Sequence, residues 1–296
     1  MLIWYCPKPY PYRLITLAKQ RIDTLLVDLD LCTSRQQAQA LIRTGKVSID
    51  QQVIDKPGTE VDIASNIQIK ERSRYVSRGG DKLAKALEVF AIPVAGRICL
   101  DGGISTGGFT DCLLQADAAL VYGVDVGYGQ ADWRLRNDPR VILKERTNLR
   151  YMTAAELYGE SPRADLAVVD VSFISLDKVL PALWELLAPP REAVLLVKPQ
   201  FEVGRDRVGK KGVVRDWATQ ADAIFQVWKA ATALGWQERG LTWSPLLGPA
   251  GNIEYLLWLG LDREPEPDES AIEDGVVKER ISEVAKAAAR ELVNRL

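Results

Sequence analysis

Residues 98–110 constrain the fold of this chain more than any other stretch. They read Ile-Cys-Leu-Asp101-Gly102-Gly103-Ile-Ser105-Thr106-Gly107-Gly108-Phe109-Thr110. A short apolar run ends in an acid, a turn of small residues follows, and apolar helical spacing resumes through Leu114. Strand, glycine-rich turn and helix in that order form the ligand-binding corner of an open α/β sheet. Glycines there let the backbone approach a bound molecule closely.

Three ligands compete for such a turn, and a purely structural turn is the plainer alternative. Gly103 and Gly108 have the spacing of a phosphate-binding loop, but Phe109 stands where its lysine belongs. The dinucleotide pattern fails because Ser105 occupies its second glycine position. An acid leading into this turn suits a ligand with an amine and no phosphates, such as S-adenosylmethionine. Asp101 would then pair with the amine.

Beyond residue 97, strand and helix patterns alternate. Strands are expected at 98–101, 120–125, 141–144, 166–170 and 194–198, and helices at 109–115, 176–187 and 217–234. That alternation predicts a doubly wound parallel α/β sheet. Two last strands, near 241–243 and 253–259, are joined by a Pro/Gly loop too short for a crossover helix, so they should be antiparallel. The count is seven strands. Ahead of this lies a small α+β unit. It has helices over 21–28 and 34–44 with Ser34 as N-cap, a hairpin about 50–52 and a strand at 67–70. The expected divisions are an N-terminal extension over 1–18, the small unit over 19–70, a linker and helix over 71–96, the large domain over 97–262, and an acidic linker with a C-terminal helix over 263–296.

The 296 residues include no histidine, which removes Ser-His-Asp and Cys-His nucleophile systems and histidine metal sites. Four cysteines lack C-x-x-C spacing, so no metal site or disulfide framework is expected, and a reducing, cytoplasmic setting fits. No apolar run reaches the roughly 18–20 residues of a membrane span. Net charge is only −2, yet the cations are grouped. Lys70, Arg72, Arg74, Arg78, Lys82 and Lys85 form one run, and Arg205, Arg207, Lys210, Lys211 and Arg215 a second. Local patches of this kind, rather than overall balance, mark nucleic-acid surfaces. The segment 202–215 also has the glycines and charges of a candidate lid.

Ligands in such sheets sit at the carboxyl ends of the strands. Asp101, Asp125, Asp170 and Lys198 each fall at a strand end, and Asn148 follows the third strand. Asp125 could accept ribose hydroxyls of the ligand, and Asn148 could reach an adenine. Lys198 beside Asp170 suggests activation of a hydroxyl. A free lysine titrates near 10.4, so it needs desolvation or a second cation such as Lys82 to serve as a base.

Six blocks carry a family resemblance: Tyr75-Val-Ser-Arg-Gly-Gly-Asp-Lys82-Leu, residues 101–110, Asp125-Val-Gly-Tyr-Gly-Gln, Asp170-Val-Ser-Phe-Ile-Ser, Lys198-Pro-Gln-Phe-Glu and Gly251-Asn-Ile-Glu254-Tyr. Over residues 19–260 the chain resembles the TlyA (hemolysin A) family, FtsJ-type ribosomal RNA 2′-O-methyltransferases. Upstream, Arg21-Ile-Asp-Thr-Leu-Leu and the stretch from Ser34 through Lys46-Val resemble the alpha-L RNA-binding motif of a small-subunit ribosomal protein. The resemblance implies a Rossmann-like seven-stranded class I methyltransferase domain with a small N-terminal RNA-binding domain. It implies S-adenosylmethionine as donor and a cytidine of ribosomal RNA or ribosomal subunits as acceptor. The family's Lys-Asp-Lys-Glu tetrad falls on Lys82, Asp170, Lys198 and Glu254. Lys198 is then the base, Lys82 and Asp170 assist it, and Glu254 helps hold the ribose. Asp101, Gly102, Gly103, Ser105, Gly107, Gly108, Asp125, Asn148 and Asp170 would cradle the donor. Arg21, Ser34, Arg35, Gln36, Arg43, Lys46, Arg72, Arg74 and Arg78 would face RNA. A catalytically idle RNA-binding protein and a membrane-lytic protein are the alternatives.

Overall fold

The structure is a computed structural model that describes residues 19–32, 34–69, 74–261 and 274–293. The chain divides into two compact units, before and after Ser73/Arg74. The expected N-terminal extension, Arg72, and nearly all of the acidic linker lie outside the described residues.

In the first unit, β1 (Lys19–Arg21) leads into α1 (Ile22–Asp28), and α2 (Arg35–Arg43) packs against it. The strands β2 (Val47–Ile49), β3 (Gln52–Ile54), β4 (Glu60–Asp62) and β5 (Ile67–Ile69) follow. β2 sits between β3 and β5, antiparallel to both, and β1 pairs with β4. Ile22, Leu26, Ala38, Ile42 and Val47 are fully buried at its centre. Ser34 caps α2 as expected, accepting the Gln37 N–H at 3.2 Å. The β1–β4 pair was not foreseen, because three residues are too few for an alternation to register.

The second unit opens with α3 (Gly79–Val89), then β6 (Ile98–Gly102), α4 (Gly108–Gln115), β7 (Leu120–Val124), α5 (Trp133–Arg136), β8 (Val141–Lys144), α6 (Ala154–Tyr158) and β9 (Leu166–Val169). It continues with α7 (Leu180–Leu186), β10 (Glu192–Val197), α8 (Pro199–Glu202), α9 (Trp217–Thr232), β11 (Gln237–Trp243), β12 (Tyr255–Gly260) and α10 (Asp274–Val293). Seven strands form one sheet in the order β11-β12-β10-β9-β6-β7-β8. The first five in chain order are mutually parallel, and β12 is antiparallel to both its neighbours, as the short Pro/Gly loop requires.

Alternate residues of each strand point to opposite faces. Leu195, Val197, Tyr255 and Leu257 enter a core shared with α7, α9 and α10, while Val194, Leu196 and Leu256 enter another with α3 and α4. Both faces are covered, which is why these strands read as continuous apolar runs. Two expected boundaries shift. Residues 74–96 are part of the large unit, since Tyr75, Leu83 and Ala86 are buried in its core. α10 likewise belongs to that core through Val277, Ile281, Ala285, Ala288 and Leu292. Among the described residues no helix is long and apolar enough to cross a membrane.

Candidate active site

The chain leaves β6 for β7 on one side, while β9 pairs with β6 on the other, so the sheet has its switch point at β6. Ligand crevices form at such points, outside the carboxyl ends of the strands. A cavity of about 710 Å³ lies there. Its walls include Gly103 and Ser105 after β6, Asp170 and Ser172 after β9, and Lys198 after β10. Lys82 of α3 and Glu254, just ahead of β12, line it as well.

The four charged residues form two pairs. Parallel pairing of β9 with β10, with Val169 opposite Leu195, sets the carboxyl ends of the two strands side by side, so that Asp170 and Lys198 both emerge at the same edge of the sheet. Lys198 Nζ lies 2.6 Å from Asp170 Oδ1 and donates to Ser172 Oγ at 2.7 Å. The lysine side chain is 9% exposed and the aspartate 23%. Lys82 Nζ donates to Glu254 Oε2 at 2.5 Å, with side chains 10% and 1% exposed. The start of α4 permits this second pair. A Cβ on Gly108 would stand 2.2 Å from Ser77 Oγ and 2.8 Å from the Gly80 nitrogen, so only glycine lets α3 approach α4 and bring Lys82 to the cavity.

The turn itself departs from expectation. Gly103 has φ +89°, and a Cβ there would lie 2.5 Å from the Asp170 carbonyl oxygen. Side chains on Gly102 and Gly107 would strike Leu149 and Leu135. These glycines therefore bring protein against protein. Of the six turn residues expected to cradle the donor, only Gly103, Ser105 and Gly108 reach the cavity wall.

Asp101 requires a larger correction. It is fully buried beneath the turn and absent from the cavity wall, with Oδ2 accepting the Thr110 hydroxyl at 2.6 Å and Oδ1 unpartnered. Burial pushes its carboxyl up to about 7 despite Thr110, with Asp170 and Asp125 adding repulsion. Strand ends are usually the wet part of a strand, but here the turn folds back over the acid. Asp125 is half-buried and holds the turn from the β7 side. Its two oxygens accept the backbone N–H of Ser105 and of Gly127, each at 2.7 Å. Asn148 is exposed, lies outside the cavity wall, and accepts the Arg150 N–H at 3.1 Å as an N-cap. That local use accounts for it.

In the first unit, the fully buried Asp23 organises several expected RNA residues. Arg21 and Arg35 each reach its Oδ2 at 3.0 Å, and Gln39 donates to it at 2.9 Å. The Arg21 guanidinium, chiefly, holds the Asp23 carboxyl well below the usual carboxylate range. Both arginines keep about half of their surface in water, at 48% and 56% exposure. Gln36 and Arg43 are exposed and Lys46 is half-buried. In the second unit Arg74 and Arg78 are exposed, and Arg78 borders the cavity.

Sequence reading missed the residues that support the site. Ser172, two positions past Asp170, offered a spacing clue. Glu202 ties the segment after β9 to α8, accepting the Ser175 hydroxyl at 2.6 Å and the Leu176 N–H at 3.1 Å. Burial pushes its carboxyl up to about 7. Asn252, buried beside Glu254, gave no signal beyond its place in the Gly-Asn-Ile-Glu block.

Residues 75–261 match the model of the FtsJ-like methyltransferases, and residues 20–67 match the S4 domain. The chain belongs to the FtsJ-like methyltransferase family. It is 49% identical over 260 residues to the 16S/23S rRNA (cytidine-2′-O)-methyltransferase TlyA of Mycobacterium tuberculosis, covering 87% of this chain and 96% of that one. It is 38% identical to Hemolysin A of Brachyspira hyodysenteriae, covering 80% and 98%. A solved hemolysin-named chain of Streptococcus thermophilus aligns over 95% of this chain and 99% of its own, with TM-score 0.71 and 39% identity. As an FtsJ-like methyltransferase the protein uses S-adenosylmethionine as methyl donor. The turn suits that molecule: residues 101–110 hold no cation to meet a phosphate, and Gly103 and Ser105 line the cavity.

Proposed function

We propose that this FtsJ-like methyltransferase methylates the ribose 2′-hydroxyl of a cytidine in ribosomal RNA, with Lys198 as the general base. The observation that carries the reading is the Lys198–Asp170–Ser172 cluster, which faces the same cavity as the donor turn and the Lys82–Glu254 pair. Similarity to a named cytidine-2′-O-methyltransferase over nearly its whole length supports the acceptor, and the S4 match supports ribosomal RNA as the partner.

The residues divide the work. When bound, the donor supplies an electrophilic methyl group on a sulfonium. Ser105 and Gly103 would hold it, while Asp125 fixes the turn from the β7 side and Asp101 and Thr110 brace it from beneath. Lys198 takes the proton from the ribose hydroxyl as that oxygen gains the methyl. Asp170 and Ser172 fix the amine by two short contacts, so little orientation is lost on reaching the transition state. The Lys82–Glu254 pair forms a nearly neutral wall where the ribose would lie, with Glu254 as its hydroxyl acceptor.

The reading is tested by incubating the protein with ribosomal RNA and methyl-labelled S-adenosylmethionine, then mapping ribose methylation by mass spectrometry. Label on one cytidine 2′-oxygen is expected. Label on a base, or none, would refute it.

A further inference from the structure

Residues 203–216, between α8 and α9, form a fixed wall of the cavity. Val203, Val208 and Val214 pack on Ala223 of α9. Arg207 donates to Asp222 at 2.8 Å and to Thr219 at 3.1 Å. The decisive anchors are side chains at most 2% exposed. Asn252 accepts the Val214 N–H at 2.9 Å and donates to the Gly212 carbonyl at 2.8 Å. Gln220 donates to the Val214 carbonyl at 2.7 Å and is itself held by the Tyr255 hydroxyl. Both polar atoms of Val214 are thus satisfied by buried side chains. Removing either partner would leave a buried group unpaired, so this network specifies one position for the loop.

What the network holds in place is a turn of cations. The Gly212 N–H bonds the Gly209 carbonyl at 2.8 Å, closing a turn with Lys210 and Lys211 at its tip. Arg205, Lys210, Lys211 and Arg215 are exposed and form no ion pair among the described residues, whereas Arg207 is paired with Asp222. Val208 and Gly212 line the same cavity as Lys198 and Glu254. A solvated charge run needs no buried scaffold. One held beside a reaction cavity is preset for an anionic partner.

We propose that the turn over residues 209–212 is a phosphate-binding arm for the RNA strand that enters the cavity, and that Asn252 is its positioning residue. The proposal rests on the reading of RNA as acceptor. Phosphate contacts carry no sequence information, but they fix the register of a strand. Asn252 stands two residues before Glu254, so one short segment sets both the arm and one wall of the ribose site.

The test compares the full-length parent, a Lys210→Gln/Lys211→Gln double variant and Asn252→Asp. RNA affinity is measured against salt, together with methylation kinetics, donor binding and trypsin cleavage. The double variant should raise the RNA KM severalfold, with a much smaller change in kcat. Its slope of log affinity against log salt should flatten by about 0.7 to 0.9 for each phosphate that the arm no longer neutralises. Donor affinity should not move. Asn252→Asp keeps all four cations and the acceptor for Val214, but it cannot donate to Gly212. It should reproduce the KM rise and speed cleavage at Lys210 and Lys211. A parent that methylates RNA alongside a double variant with unchanged KM and slope would overturn this proposal alone. So would an Asn252→Asp that loses kcat at constant KM. A parent that methylates no RNA would overturn both this proposal and the reading beneath it.

Discussion

The two lysine–carboxylate pairs look alike on paper and differ in what they leave available. Lys82–Glu254 is closed, with the glutamate 1% exposed and Gly248 packed so near that a Cβ there would lie 2.6 Å from Glu254 Oε1. Lys198–Asp170 is open on one side: the carboxylate is 23% exposed and the amine has a hydroxyl partner in Ser172. A closed pair organises; an open pair can exchange a proton. Asp101, at the same edge of the sheet, has no cation beside it, and burial pushes its carboxyl up to about 7.

The largest expected effect comes from opening the closed pair. Glu254→Gln leaves the Lys82 ammonium buried without a counter-charge and should cost about 3–5 kcal/mol of stability. Asp170→Asn should cost much less, because Lys198 keeps Ser172 and some access to water. Urea denaturation of both variants checks the contrast, and equal losses would erase it.

A smaller effect should come from Asp101→Asn. The folded-state value near 7 lies above the ordinary 3.8, so the folded protein favours the protonated acid. Its contribution is complete below pH about 3.8 and is lost as pH rises through about 7, at no more than about 1.4 kcal/mol per unit. Asparagine can still accept from Thr110 and does not ionise. The variant should therefore gain melting temperature relative to the parent between pH 5 and pH 8, both approximate. A gap that stays constant with pH would show that Asp101 is ionised in the folded protein.

Much of this site was legible in the chain because parallel strands announce themselves as apolar runs with a polar residue at the end. Asp170 and Lys198 were placed that way, and pairing of β9 with β10 made them neighbours. Glu254 was legible only through resemblance, and Lys82 apart from it only as a cation that could stand near Lys198: the two lie in a loop and a helix, 172 residues apart in sequence. Gly102 and Gly107 stand against protein for a reason that sequence does not reveal. A close approach looks the same in sequence whether the approaching body is a ligand or Leu135. The anchors of residues 202–215 were not legible in that segment's own composition, since Asn252 and Gln220 come from elsewhere in the chain.

The central claim is that the open pair performs the proton transfer, and single-turnover methylation across pH tests it most directly. For a base that acts only when unprotonated, the parent rate should climb with pH, with no histidine in the chain to impose a break near 6.5. Lys198→Ala should lose roughly 10²–10⁴-fold while still binding S-adenosylmethionine. Lys198→Arg should fail almost as badly, because a guanidinium keeps its proton throughout this range. An arginine variant that retains substantial activity with a flat pH profile would contradict the account, leaving Lys198 as a fixed positive charge.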